Sequence, residues 1–197
     1  MKRSTANLEY GRYYHIYNRG VDKNVIFIED EDYLYFLKLY KKYIPVVVET
    51  YSWVLMNNHF HFSLKIKEES EIEFISEGKR YNPSRQFGHL FNAYAKFFNN
   101  KYDRVGGLYQ GRFKRITIED DNYFRYLIYY IHHNPVHHKF VDDYRIYKWS
   151  SYLDIVSSKE TFLNNVDVIE LFDNLENFKF FHEENHELDT IKDSVLE

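Results

Sequence analysis

The stretch Val46–Ile66, VVVETYSWVLMNNHFHFSLKI, decides the fold. Val46 to Met56 and His59 to Ile66 read as two strands of a hairpin, rich in β-branched and aromatic side chains. The Asn57-Asn58 pair between them tolerates the positive φ of a tight turn. The second strand alternates strictly: Phe60, Phe62, Leu64 and Ile66 point one way, His59, His61, Ser63 and Lys65 the other. One face covers a core; the other is polar and available. Two histidines one residue apart on a strand share a face, roughly 6–7 Å from each other along the chain. Their imidazoles can converge on one divalent ion, with Phe60 buried behind them. Two ligands are too few for such an ion, so a third must come from elsewhere. The plainer alternative is an exposed histidine pair with no ligand.

Working outward, Arg12 to Asn18 reads as a strand ended by Arg19-Gly20. Asp30 to Tyr43 reads as a helix, with Tyr33, Phe36, Leu37 and Tyr40 on one stripe, acids at its start, Lys41-Lys42 at its end and Pro45 stopping it. Lys67 to Pro83 reads as a loop with a short helix. Ser84 is placed to cap a second helix carrying Phe87, Leu90, Phe91, Tyr94 and Phe98. Gly106-Gly107 breaks that pattern and Leu108 to Ile118 follows as a strand. A third helix runs from about Asp121 to His133 and ends at Asn134-Pro135, because a residue before proline disfavours the helical region. Strands and helices alternate around a central hairpin. The expectation is an α+β fold: a ferredoxin-like or RRM-like antiparallel sheet with helices on one face, its open face carrying the site. Residues 1–155 form that domain, and 156–197 an acidic, helical C-terminal extension.

The 197 residues are 44% hydrophobic, enough for a real core, and contain no cysteine, which excludes disulfides and thiolate metal sites. No apolar run approaches the ~18 residues of a membrane span. The opening MKRSTANLEYGRYY lacks the apolar segment of a secretory signal, so a cytoplasmic location is expected. The net charge is −4 but unevenly spread. Gly78 to Arg115 holds nine Lys/Arg against the single acid Asp103, whereas Glu160 to Glu197 holds eleven Asp/Glu against Lys179 and Lys192. The basic region is suited to phosphates; two solvated faces with local charge drift account for it equally well. Twenty tyrosines and 17 phenylalanines fit stacking on unpaired bases, or a biased composition, and no tyrosine stands out as a nucleophile by its presence alone.

The segment WVLMNNHFHFSLKI resembles the His-hydrophobic-His strand of the HUH single-tyrosine transposases, and more narrowly of the REP-associated tyrosine transposases. YYHIYNRGVDKNVIFIEDEDYLYFLKLY is similar to the opening of that family's domain. NAYAKFFNNKYDRVGGLYQGRFK, DNYFRYLIYYIHHNPV and YKWSSY follow in the family's order. The resemblance spans about Tyr13 to Tyr152. Asn57 stands where a proline commonly precedes the Asn-His pair.

The resemblance implies that Tyr130, four residues before Asn134, is the nucleophile, and that Asn134 joins His59 and His61 as the third metal ligand. The spacing is compatible, since residues i and i+4 share a helix face. By periodicity alone Tyr130 falls on a core stripe with Tyr123, Tyr126, Leu127 and Ile131, and Tyr129 competes with it. An octahedral Mg²⁺ or Mn²⁺ is the implied ion. The implied activity is that of a metal-dependent endonuclease and strand transferase. It would cleave and rejoin single-stranded, hairpin-forming DNA through a 5′-phosphotyrosine intermediate. Monomeric and homodimeric action are both compatible with the resemblance. Arg112, Lys114, Arg115, Lys96, Arg85 and Arg104 are the candidate DNA contacts. His132, His133, His137 and His138 are expected as surface histidines near a phosphate-binding cleft, and His15 as a lining residue of the open face. Two rival readings are a non-catalytic nucleic-acid-binding module of the same fold and a metal-dependent hydrolase that uses water.

Overall fold

The computed structural model describes residues 7–76, 78–157 and 161–184. The extreme N-terminus and the acidic tail beyond residue 184 lie outside those described residues. Four strands, β1 (Tyr13–Arg19), β2 (Val48–Leu55), β3 (His59–Ile66) and β6 (Lys114–Ile118), form an antiparallel sheet in the order β2-β3-β1-β6. Helices α1 (Asp30–Tyr43) and α2 (Pro83–Lys101) are inserted after β1 and β3, which gives the β-α-β-β-α-β order of the ferredoxin-like class.

Helices α1 and α2 pack on the face to which Phe60, Phe62, Leu64 and Ile66 point. Phe36 meets Phe60 at 5.4 Å between ring centroids, Tyr40 stacks on Phe62 at 4.6 Å, and Phe91 stacks on Phe60 at 5.4 Å. Helix α1 begins with a capping box between Glu29 and Asp32. Helix α2 is capped by Asn82, whose side chain accepts from the Arg85 amide, with Pro83 in the first turn. The cap is therefore Asn82 rather than Ser84, because proline favours the first helical position.

Helix α3 (Asp121–His137) lies across the other face of the sheet, with Phe124 against Tyr13 and Tyr51. It runs through Asn134-Pro135 instead of stopping there. The Asn134 carbonyl still accepts from the His138 amide at 3.0 Å and the Pro135 carbonyl from Phe140 at 2.8 Å. The tight turn at Asn57-Asn58 uses no positive φ. Its carbonyls are instead held from outside: Asn57 accepts from the amides of Ile26 and Phe27, and Asn58 from that of Gly20. Residues 67–82 carry a short 3-10 turn and a small hairpin of β4 (Phe74–Ser76) and β5 (Lys79–Arg80). The strand expected from Leu108 is regular only from Lys114. Before it, Gly111 takes φ +89° and Tyr109 makes an isolated bridge to Gly20.

The C-terminal part folds back as α4 (Tyr152–Val156), α5 (Asn165–Leu171) and α6 (Leu175–Glu183). The returning chain covers the outer edge of β2: the Leu55 amide donates to Trp149, Ser151 to Trp53 and Asn164 to Thr50. This satisfies backbone groups that an open edge would present to other chains. Among the described residues no helix is long and apolar enough to cross a membrane.

Candidate active site

Strand register brings the polar residues together. Arg19 lies opposite His59, and Tyr17 lies opposite both His61 and Lys114, so these side chains share the face beneath α3. They line a cleft of about 490 Å³ together with Lys23, Asn58, Gln110, Tyr130 and His138. Among the described residues no carboxylate lines it.

His59 Nε2 lies 2.8 Å from Asn134 Oδ1, and His59 Nδ1 lies 2.6 Å from Asn58 Oδ1. The His59 and His61 rings stand edge to face at 5.2 Å, and Tyr130 packs edge to face on His61 at 5.6 Å. His15 Nε2 is 2.9 Å from His61 Nδ1, both rings being buried. Burial holds these imidazoles neutral: His59 is lowered to about 4, His15 to about 3, and His61 well below its ordinary value. Tyr130 is only 2% exposed, and burial pushes its hydroxyl up to about 12. Tyr129, one residue earlier, turns the other way and packs on His133 and the α6 residues Phe181 and His182.

The donor set fits a hard or borderline divalent cation. A neutral imidazole donates one hydrogen bond, yet both nitrogens of His59 face carboxamide oxygens. If His59 Nδ1–H donates to Asn58, the Nε2 lone pair meets the Asn134 oxygen with no proton between them. A cation bound there would relieve that contact. The Asn134 amide nitrogen is buried with no hydrogen-bond partner among the described residues. No group of three His, Cys, Asp or Glu side chains suited to a metal occurs among the described residues; the oxygen set against His59 Nε2 is that of Asn134.

The basic residues divide. Lys114 lines the cleft, with its ammonium over the Tyr17 ring at 6.0 Å. Arg115, the next residue on β6, lies opposite Ile16 on the other face and packs over Phe113. Arg85 and Lys96 belong to α2, across the sheet from the cleft, and Arg104 follows that helix with its guanidinium over Phe98. Arg112 precedes β6 and is not among the cleft-lining residues. Arg19, Lys23 and Gln110 line the cleft and were missed by composition, because Arg19 and Lys23 lie outside the basic stretch. The alternation His15, Tyr17, Arg19 along β1 was the available signal. Of the late histidines, His132 is fully buried rather than on the surface, bonded to Ser151 Oγ at 2.9 Å and His182 Nε2 at 2.8 Å. His138 borders the cleft, its ring 4.9 Å from that of His59.

No family model and no curated protein matches this chain. Among solved structures it is similar to a REP-associated tyrosine transposase bound to a REP hairpin, with 18% identity, a TM-score of 0.59, and coverage of 80% of this chain and 87% of that one. The likeness is one of fold: the antiparallel sheet, its helices and the C-terminal helical region together make the α+β architecture of that transposase.

Proposed function

We propose that this chain is a transposase-like endonuclease and strand transferase acting on single-stranded, hairpin-forming DNA, with Tyr130 as nucleophile. The observation that carries this reading is the packing of Tyr130 on His61, in a cleft that no carboxylate lines among the described residues, and, one helical turn on, the contact of the buried Asn134 with His59. The fold likeness to a transposase bound to a DNA hairpin supports the same reading.

Tyr130 attacks the phosphorus of a phosphodiester. A bond forms from its phenolic oxygen to phosphorus, and the bond from phosphorus to the 3′-oxygen breaks. The tyrosine proton leaves and the departing 3′-oxygen ends protonated, giving a 5′-phosphotyrosine and a free 3′-hydroxyl. The reverse attack rejoins strands without a nucleotide cofactor, because the phosphoester is conserved. His59 Nε2, His61 Nε2 and Asn134 Oδ1 would hold Mg²⁺ or Mn²⁺, which stabilises charge on the scissile phosphate when bound. Helix α3 fixes Tyr130 and Asn134 on one face. Packing of its ring on His61 limits the directions available to the nucleophile.

The test mixes the protein and Mn²⁺ with hairpin DNA from beside its own gene and resolves products on a denaturing gel. A covalent adduct is expected, lost in Tyr130→Phe and retained in Tyr129→Phe. An adduct that survives in Tyr130→Phe sinks the assignment. The burial of Tyr130 favours a second reading, a DNA-binding module that performs no cleavage; hairpin binding with neither adduct nor cleavage in Mn²⁺ would select it.

A further inference from the structure

The turn that follows β1 is built unusually for a surface connection. Asp22 and Lys23 are consecutive non-glycine residues with positive φ, 52° and 60°. Side chains rarely adopt that region, and such strain persists only where surrounding structure enforces it. Here the enforcement is visible. Gly20 donates to the Asn58 carbonyl at 2.8 Å, Val21 to that of Leu108 at 3.0 Å, and the Asn58 side chain donates to the Lys23 carbonyl at 3.2 Å. Gly20 cannot be enlarged, since a Cβ would lie 2.0 Å from the Asn24 carbonyl oxygen. The turn is thereby tied to the residue that precedes His59.

The turn brings Lys23 to the cleft, where strand pairing already places Arg19. Arg19 and Lys23 both line it, and neither side chain makes an ion pair among the described residues. Arg19 is partly buried, lies opposite His59 in the sheet, and its charge reaches His59, His61, His138 and Tyr130. A partly buried guanidinium with no carboxylate in its cleft lacks a counter-ion among the described residues. Its planar fork suits the two oxygens of a phosphodiester.

We infer that Arg19 and Lys23 form a phosphate-binding clamp, Arg19 taking the phosphodiester beside Tyr130 and Lys23 the next phosphate toward the cleft mouth. The inference rests on the proposed action on DNA and adds where the strand lies: along the β1 turn, rather than along α2 with its Arg85 and Lys96.

Anisotropy of a fluorescein-labelled single-stranded oligonucleotide of mixed sequence, titrated with the full chain in EDTA over a series of KCl concentrations, tests this. The variants are Arg19→Gln, Lys23→Asn and the double variant; asparagine tolerates the left-handed backbone at position 23. Lys38→Ala, an exposed charge on α1, is the control. For single strands each neutralised phosphate contributes about 0.7 to the slope of log K against log salt. Each single variant is expected to reduce the slope magnitude by about 0.7 and the double variant by about 1.4, with Lys38→Ala unchanged. Arg19→Lys should keep most of the slope while weakening binding. A double variant with the slope and affinity of the unaltered protein, its circular dichroism intact, overturns the clamp, as does equal loss in Lys38→Ala. If the unaltered protein makes the tyrosine adduct but the slopes do not change, the clamp fails and strand transfer stands. If the slopes fall as expected but no adduct forms on any hairpin tried, the clamp stands and strand transfer fails.

Discussion

His15 Nε2 sits 2.9 Å from His61 Nδ1 inside the sheet face, so one proton is shared between two buried imidazoles. When His61 Nδ1–H is the donor, its Nε2 lone pair is left for a metal, and His15 fixes the tautomer and ring plane. His15→Phe keeps an aromatic ring but removes the acceptor. It is expected to weaken Mn²⁺ binding by roughly 10–100-fold, read by electron paramagnetic resonance of free Mn²⁺ on protein shown to be folded. Unchanged Mn²⁺ affinity in that variant would remove His15 from the site.

Acid should unfold the metal-free protein early. His15, His61 and His132 are buried and neutral, each lowered from 6.5 first by loss of water around the ring. The unfolded chain therefore binds more protons than the folded one below about pH 6.5. The stabilisation is complete above that value and is lost progressively as pH falls toward the folded values, about 3 for His15. The slope approaches roughly 1.4 kcal/mol per pH unit for each histidine. Urea midpoints in EDTA between pH 7 and 5 measure it; a flat profile over that range would contradict it.

The C-terminal helices are bolted on by a buried chain of hydrogen bonds. Ser151 Oγ meets His132 Nε2, His132 Nδ1 meets His182 Nε2 at 2.8 Å, and His182 Nδ1 donates to the Phe178 carbonyl at 2.8 Å. Replacing His182 by Ala leaves the His132 Nδ1 group buried without this partner, a loss of about 1–3 kcal/mol. Denaturant unfolding should show it, and hydrogen exchange of residues 175–183 should rise. Unaltered protection there would mean that α6 is held by other contacts.

Gly20→Ala should cost about 1–3 kcal/mol, because the added methyl carbon would meet the Asn24 backbone at 2.0 Å and the turn must open. The same variant should weaken oligonucleotide binding at fixed salt, since Lys23 moves with the turn. Stability equal to that of the unaltered protein in urea would show that the turn adjusts freely.

The sequence by itself determined the elements whose period is local. Helix α1 runs over the expected Asp30–Tyr43, and β3 over the expected His59–Ile66, because a stripe or an alternation is complete within one segment. It also put His59 and His61 on the polar face of that strand. Periodicity says which residues share a face, not what covers the face. Only the tertiary structure decided that α3 lies over the histidines, that Tyr130 meets His61 while Tyr129 turns toward α6, and that His15 backs His61 from the neighbouring strand. Charge density along the chain does not distinguish the two faces of β6, where Lys114 enters the cleft and Arg115 the opposite side. Arg19 and Lys23, outside the basic stretch, reach the cleft because strand pairing and a braced left-handed turn carry them there.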